Sequence, residues 1–340
     1  MMPAIERKPD SGEIEAFLTK QSQWSWIKRG SRRFWPHYLF HYTDIRNITS
    51  ILQAGYLYSR SLAERWRTLV TSAGDPRILQ STDTLVKRCV RFYFRPQTPT
   101  QYYAEGIRSR NSLIYSRFPQ AHCPVPIFLL FDAAQVLTMA SCRFAEGSLR
   151  YYESERFDRV EMLSTADELA RLPWWAIYHN SPTPQDDRKI AFHRNAEVVV
   201  PHMVSLSMLK HIICRSEAEM ETLQNHLRTG PATWQKYRDM VVWPTPYELF
   251  LKRHTYVDRA ELGKEHCTFH FSPETDSPGP FSLAVEFRPT EGRAGHFRRT
   301  YTIRPDQPWL RLRLPQGSGS YGVCLHLDHH LAYTGVFDGT

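Results

Sequence analysis

Up to about residue 240 the apolar positions follow two rhythms, and beyond it they follow one. In "DIRNITSILQAGYL" (44–57), Ile45, Ile48, Ile51 and Leu52 recur at helical spacing and Gly55 supplies a stop. "SEAEMETLQNHLRTG" (216–230) reads as a second amphipathic helix, and "STADELARL" as a short one capped by Ser164 or Thr165. Residues 11–30 read as a helix carrying Trp24 and Trp26. Between these lie apolar runs that suit strands: "HYLFHYTD", "KRCVRFYF", "PVPIFLLFD", "IAFHRNAEVVVP" and "KHIICRS". The stretch 58–87 is polar and irregular, a long loop with a helical piece. After 240 the helical period disappears. Short alternating stretches ("FSLAVEF", "FRRTYTI", "WLRLRL", "YGVCLHL") separated by turns such as "SPGP" predict a small β-sandwich of Greek-key type.

At 340 residues the chain exceeds the size at which a single core stops growing, about 250 residues, so two domains are expected. A hydrophobic fraction of 41 % with 13 % aromatics excludes a disordered chain. No run approaches the roughly 20 apolar residues of a membrane-spanning helix. The start, "MMPAIERKPDSGE", is too polar for a secretory signal, so a cytoplasmic protein is expected. Its six cysteines are scattered without a C-x-x-C pair, which favours reduced thiols. "HLDHH" (326–330) has metal-ligand residue types but no matching pair nearby, so no metal is expected.

Charge changes the picture more. Between Arg60 and Arg117 stand 11 Lys/Arg against 4 Asp/Glu. Such a strip suits a polyanion, nucleic acid above all, although a solvated face that only aids solubility has the same composition.

Residues on three strands then stand out. His41 and Thr43 alternate on one strand and so project to one side. Tyr93 lies on a second strand, before a loop fixed by prolines, and Glu197 opens a third, directly ahead of Val198–Val200. A carboxylate there is either an edge-strand residue facing water or a catalytic acid. Spacing alone does not decide, because any mixed sheet contains His, Tyr and Glu.

The wording around them is more specific. "HYTDIRNITSILQAGYLYSR", "VRFYFRPQTPTQY" and "RNAEVVVP" resemble the blocks H-x-T-x-x-x-N-L-x-x-I-L-x-x-G-L-x-S-R, V-P-F-Y-F-x-P-R-S-P-M-L-Y and R-Q-A-E-F-L-V-P of the DarT family of nucleic-acid ADP-ribosyltransferase toxins. "FAEGSL" (144–149) and "PWWAIYHN" (173–180) are similar to family segments too, in the right order, and the resemblance covers about residues 37–225. It implies an α+β fold with a split β-sheet core that grips NAD. It also implies roles. His41, Thr43 and Asn47 match the positions that hold the adenosine half of NAD, although Asn47 also reads as a plain helix N-cap. Tyr93 matches the aromatic of the nicotinamide pocket and Glu197 the catalytic acid. The family's loop arginine is assigned to Arg77, over Arg65, Arg67 and Arg88.

The chemistry suits those roles. Losing nicotinamide leaves an oxocarbenium-like ribose, which a nearby carboxylate stabilises. The leaving group is already cationic and needs no general acid. Glu197, poised by an apolar strand, is also expected to take a proton from the attacking base. A single-stranded acceptor avoids the cost of unstacking, and Arg91, Arg95, Thr100, Gln101 and Tyr102 are expected to contact it. Arg91 stands where the family has proline, and Thr100–Gln101 replace Met-Leu.

The expectation is an NAD-dependent ADP-ribosyltransferase acting on a base in single-stranded DNA within a toxin–antitoxin or phage-defence setting. Its divisions are an N-terminal helical extension (1–36), the transferase domain (37–230) and an all-β accessory domain (240–340), with an antitoxin or another defence protein as partner. The same chemistry on RNA, a non-catalytic nucleic-acid binder and a protein modifier are the alternatives.

Overall fold

The computed structural model describes residues 6–151, 160–181, 188–228, 230–244, 246–290, 294–314 and 319–339. In chain order its strands are β1 (Tyr38–Asp44), β2 (Tyr56–Tyr58), β3 (Cys89–Tyr93), β4 (Pro126–Asp132), β5 (Arg143–Ala145), β6 (Glu197–Pro201), β7 (Met203–Ser205), β8 (Leu209–Cys214) and β9 (Val241–Val242). Seven of them form one sheet, in the order β5-β6-β3-β1-β4-β8-β9, and β2 pairs with β7 in a separate ribbon. All pairs are antiparallel except β8 with β9.

The sheet is split at its middle. β1 meets β4 along seven residue pairs, from Tyr38↔Asp132 to Asp44↔Pro126, but meets β3 through Phe40↔Tyr93 alone. The halves therefore diverge beyond that point, and a cleft opens between β1 and β3. The expected split core is present. β4 is buried from Pro126 through Phe131, which explains its continuous apolar run: helices and loops cover both faces. The helix Glu217–Leu227 packs against the sheet with Leu223 and Leu227 buried. The N-terminal helix Ser11–Ser22 joins the same core through Ile14 and Leu18.

Two elements differ from the sequence reading. The N-terminal helix stops at Ser22, and residues Gly30–His37 form a 3-10 helix instead. "IAFH" belongs to a helix, Arg188–His193, and the strand begins only at Glu197. That apolar run buries Ile190 on one side of a helical turn, so tertiary packing overrides a strand-like composition. The stretch 58–87 carries three short helices, Arg60–Arg65, Pro76–Ser81 and Thr84–Lys87, each started by a side-chain cap (Ser59, Asp75 and Asp83). Gly55 ends the helix Ile48–Ala54 in the left-handed conformation, as expected, and Thr165 starts the helix Ala166–Arg171 with a complete capping box.

The C-terminal region holds two antiparallel sheets. β10 (Val257–Leu262), β11 (His266–Phe271) and β14 (Trp309–Arg313) form one, while β12 (Phe281–Pro289), β13 (Gly295–Tyr301), β15 (Tyr321–Leu327) and β16 (His330–Phe337) form the other. Leu283, Val285, Leu325, Phe269 and Leu310 close a second hydrophobic core between them. The helix Glu217–Leu227 is the joint with the first region. Tyr333 donates to Glu221 at 2.7 Å, and Thr334 N–H donates to the Thr222 hydroxyl at 3.1 Å.

Candidate active site

Antiparallel pairing sets Tyr93 directly opposite Glu197, so both side chains leave the same face of the sheet. Arg91 lies two residues before Tyr93 and shares that face. Its guanidinium meets Glu197 with both prongs, Nε to Oε2 at 2.8 Å and Nη2 to Oε1 at 2.6 Å. The Ser148 hydroxyl donates to Oε1 at 3.0 Å. The acid is therefore neither an edge residue nor exposed: it is 0 % accessible, while Arg91 keeps 28 % of its side chain open toward the cleft. A charge this deep is tolerated because a fork-shaped cation and a hydroxyl satisfy it. Burial works against the Arg91 charge, but Glu197 and Tyr93 more than offset that and raise its pKa above the ordinary value. Burial first, and the Glu197 charge second, raise the Tyr93 pKa, so this phenol stays neutral.

Across the split, the His41 Nδ1 lies 3.0 Å from the Arg91 carbonyl oxygen. A carbonyl only accepts, so Nδ1 carries the proton. Burial lowers the imidazole pKa, and the neutral ring then offers Nε2 as an acceptor. Thr43 and Asn47 line the same cleft. Asn47 is not a side-chain cap. Its amide clamps the loop after the helix Arg60–Arg65, accepting from Val70 and Thr71 N–H at 2.9 and 3.0 Å and donating to the Thr71 carbonyl and the Thr43 hydroxyl.

The remaining expected residues scatter. Arg77 lies outside the cleft lining, with its guanidinium on Asp75 and the Arg117 carbonyl. Arg60 lines the cleft instead and donates to Ser72 Oγ at 2.7 Å. The signal was available: Arg60 closes the first block, "GYLYSR". Ser148 likewise falls inside a family-like segment, "FAEGSL". Arg95, expected on nucleic acid, is only 2 % exposed. It donates to the carbonyls of Pro96, Ile177 and His179, and burial lowers its pKa to about 9. Its role is internal bracing. Gln101 reaches the cleft lining, yet its amide is spent on Glu105 and the Leu249 carbonyl at 2.6 and 2.9 Å. Thr100 is exposed at the rim and donates to Asn195. Tyr102 is 43 % exposed, outside the lining, beneath the guanidinium of Arg253 at 4.4 Å. All six cysteines are free, and the described residues contain no group of three His, Cys, Asp or Glu able to hold a metal.

At the split of the sheet stand a His, a Tyr, a cleft-facing arginine and a buried carboxylate, a set suited to cleaving a glycosidic bond through a cationic sugar. The family profile described as "ssDNA thymidine ADP-ribosyltransferase, DarT" matches residues 40–244, more than half of the chain. The chain belongs to the DarT family, whose members are NAD-dependent ADP-ribosyltransferases of single-stranded DNA. Among solved structures it is similar to Thermus sp. 2.9 DarT in complex with ADP-ribosylated ssDNA (20 % identity, 58 % of this chain and 90 % of that one, TM-score 0.45). The same protein in complex with NAD+ is similar at 20 % identity over 58 % and 90 %, TM-score 0.43. Thermosipho africanus DarTG in complex with ADP-ribose is similar at 16 % identity over 66 % and 53 %, TM-score 0.46. No curated protein matches the chain.

Proposed function

We propose that Glu197, Arg91, Tyr93 and His41 carry out ADP-ribose transfer from NAD to a base of single-stranded DNA, thymidine being the base named for the family. The observation that carries this reading is the buried Arg91–Glu197 pair directly beside Tyr93 at the split of the sheet. The bond between nicotinamide and ribose breaks, nicotinamide leaves neutral, and positive charge develops on the ribose. Glu197, held by the Arg91 fork and the Ser148 hydroxyl, places a carboxylate near that cation, where its burial weakens screening by water. The new bond joins the ribose carbon to a base nitrogen, whose proton passes to Glu197 or to solvent. Neutral His41 accepts a hydroxyl of the dinucleotide through Nε2, and Arg60 in the cleft provides a cation for its phosphates in place of Arg77.

A cytoplasmic setting and restraint by an antitoxin remain part of the proposal, with the division into segments 1–36, 37–230 and 240–340. Among the described residues no helix is long and apolar enough to cross a membrane.

The test incubates the protein with labelled NAD and single-stranded DNA, RNA or protein extract. Label in DNA is expected, whereas label in RNA alone or protein alone would move the acceptor. Glu197→Gln keeps the shape and the Ser148 contact, and is expected to lower transfer by 10²-fold or more with an unchanged fold by circular dichroism. A variant as active as wild type would remove Glu197 from the mechanism.

A further inference from the structure

The segment from Arg60 to Gly74 forms one wall of the cleft: Thr68, Leu69 and Thr71–Gly74 line it, tied down by Asn47 and by Ser50, which donates to the Thr68 carbonyl at 2.7 Å. At its outer corner stands "RWR", Arg65–Trp66–Arg67, with all three residues exposed and Trp66 at 48 %. Three features set this corner apart from an ordinary surface turn.

The first is the tryptophan's support. Its ring meets that of Tyr58 at 4.6 Å and 85°, an edge-to-face contact, and Tyr58 itself lines the cleft. Trp66 is thus oriented by the cleft wall while about half of it faces solvent. The second is the backbone. The helix Arg60–Arg65 closes with the paired bonds Thr68 N–H to the Ala63 carbonyl (2.8 Å) and Arg67 N–H to the Glu64 carbonyl (3.1 Å). This closure puts one residue in the left-handed region, where glycine or asparagine fits best. Here that residue is Arg67, with φ 56°. An arginine held in a conformation that disfavours it suggests a use for its side chain. The third is charge. Among the described residues neither Arg65 nor Arg67 forms an ion pair with a carboxylate, so the corner is a positively charged aromatic surface beside the cleft.

We propose that Arg65–Trp66–Arg67 is a docking platform for the acceptor strand, on which Trp66 stacks against a base flanking the modified one while Arg65 and Arg67 hold the adjoining phosphates. A flat ring between two cations suits single-stranded nucleic acid, whose bases all present a π-face and whose backbone is anionic. The inference rests on the transferase reading above and names a strand contact within it.

The test uses the full chain, a fluorescein-labelled single-stranded oligonucleotide and labelled NAD. Trp66→Ala is expected to raise the Kd and KM for the oligonucleotide on the order of ten-fold, and Trp66→Phe less. The Kd for NAD and the NAD-induced rise in Tm are expected to stay at wild-type values. Arg65→Gln and Arg67→Gln are each expected to flatten the slope of log K against log salt by roughly 0.7. Arg67→Gly separates binding from folding, because it relieves the left-handed strain. It is expected to melt no lower than wild type yet bind DNA as weakly as Arg67→Gln. Wild-type oligonucleotide affinity in Trp66→Ala overturns the platform, and so does a loss matched by an equal loss of NAD binding, which would assign Trp66 to holding the wall. A wild-type protein that binds oligonucleotide through Trp66 but never labels it would overturn the transfer reading and leave the platform standing.

Discussion

The two β regions of this chain place residues by different rules. In the C-terminal sheets, burial alternates along β11, β14 and β15, and arginines and histidines occupy the outward positions. In the first region, β4 is buried from Pro126 to Phe131, and β6 from Glu197 to Val200. A half-covered sheet needs polar residues on one side only, so its sequence keeps a period of two. A sheet covered on both faces loses that period, and any charge placed in it has to bring a partner. The Arg91–Glu197 pair is such a case, and the chemistry is proposed to sit where the packing rule is broken. Surface arginines such as Arg311 and Arg313 follow the rule and carry no comparable obligation.

The contrast is sharpest in the cost of removing an arginine. Arg91→Met leaves Glu197 buried with Ser148 as its remaining partner, and is expected to lower unfolding free energy by about 3 kcal/mol. Adding Glu197→Gln to it should recover most of that loss, since the stranded charge disappears, while transfer stays absent. Arg311→Ala on β14 should fall within about 0.5 kcal/mol of wild type. Urea titration of the four proteins decides: equal costs for the two arginines, or no recovery in the double variant, would break the distinction. An apolar deletion probes the other core. Leu325 is fully buried between the C-terminal sheets, so Leu325→Ala is expected to cost about 2–3 kcal/mol. Below its melting temperature the variant should retain wild-type kcat, because Leu325 lies outside the cleft lining. A fall in kcat at full folding would show that the C-terminal core acts on the site.

The same contrast sets what the sequence reveals. Alternation made the C-terminal strands readable from apolar positions alone, and the caps and stops at Gly55 and Thr165 were visible as local chemistry. The split of the core was expected through the resemblance to a family, because no local pattern records that β1 and β3 meet at one residue pair. Among the site residues, the facing of Tyr93 and Glu197 depends on a register between positions 104 residues apart, which a single sequence does not encode legibly. Arg91 was read as a nucleic-acid contact because its basic neighbours suggested a surface. Its partner Glu197 lies on the next strand, and the pair leaves the guanidinium partly open toward the cleft. Arg95 was read the same way, but the carbonyl of its neighbour Pro96 and those of the distant Ile177 and His179 satisfy it inside the protein. Arg60 stands at the end of its block, whereas the resemblance implied an arginine in the loop beyond it, where Arg65, Arg67, Arg77 and Arg88 offer the same residue type.

The remaining effect concerns the seam between the two regions and is read through pH. His254 lies there, its Nδ1 3.0 Å from the Ser277 hydroxyl, beside Arg253 and its ion-pair partner Asp276. Burial lowers the imidazole pKa to about 4, with Arg108, Arg253 and Arg215 acting in the same direction and Asp276 opposing them. His254 therefore stays neutral in the folded protein at a pH where the unfolded chain, with a histidine pKa near 6.5, has already taken a proton. The unfolded state binds more protons as pH falls below about 6.5, so stability declines from there toward pH 4 and is complete above that window. By pH 5 the loss traceable to His254 is about 2 kcal/mol, from roughly 1.5 pH units at 1.36 kcal/mol each. His122, whose ring meets His330 at 3.9 Å, and His330 itself are lowered in the same direction, burial being the first cause for both, so they add to the trend. Urea unfolding at pH 7 and pH 5 should show His254→Gln losing about 2 kcal/mol less than wild type over that interval. Parallel losses in the two proteins would mean that protonation of His254 does not load the seam, and that the acid sensitivity of this joint lies with the His122–His330 contact instead.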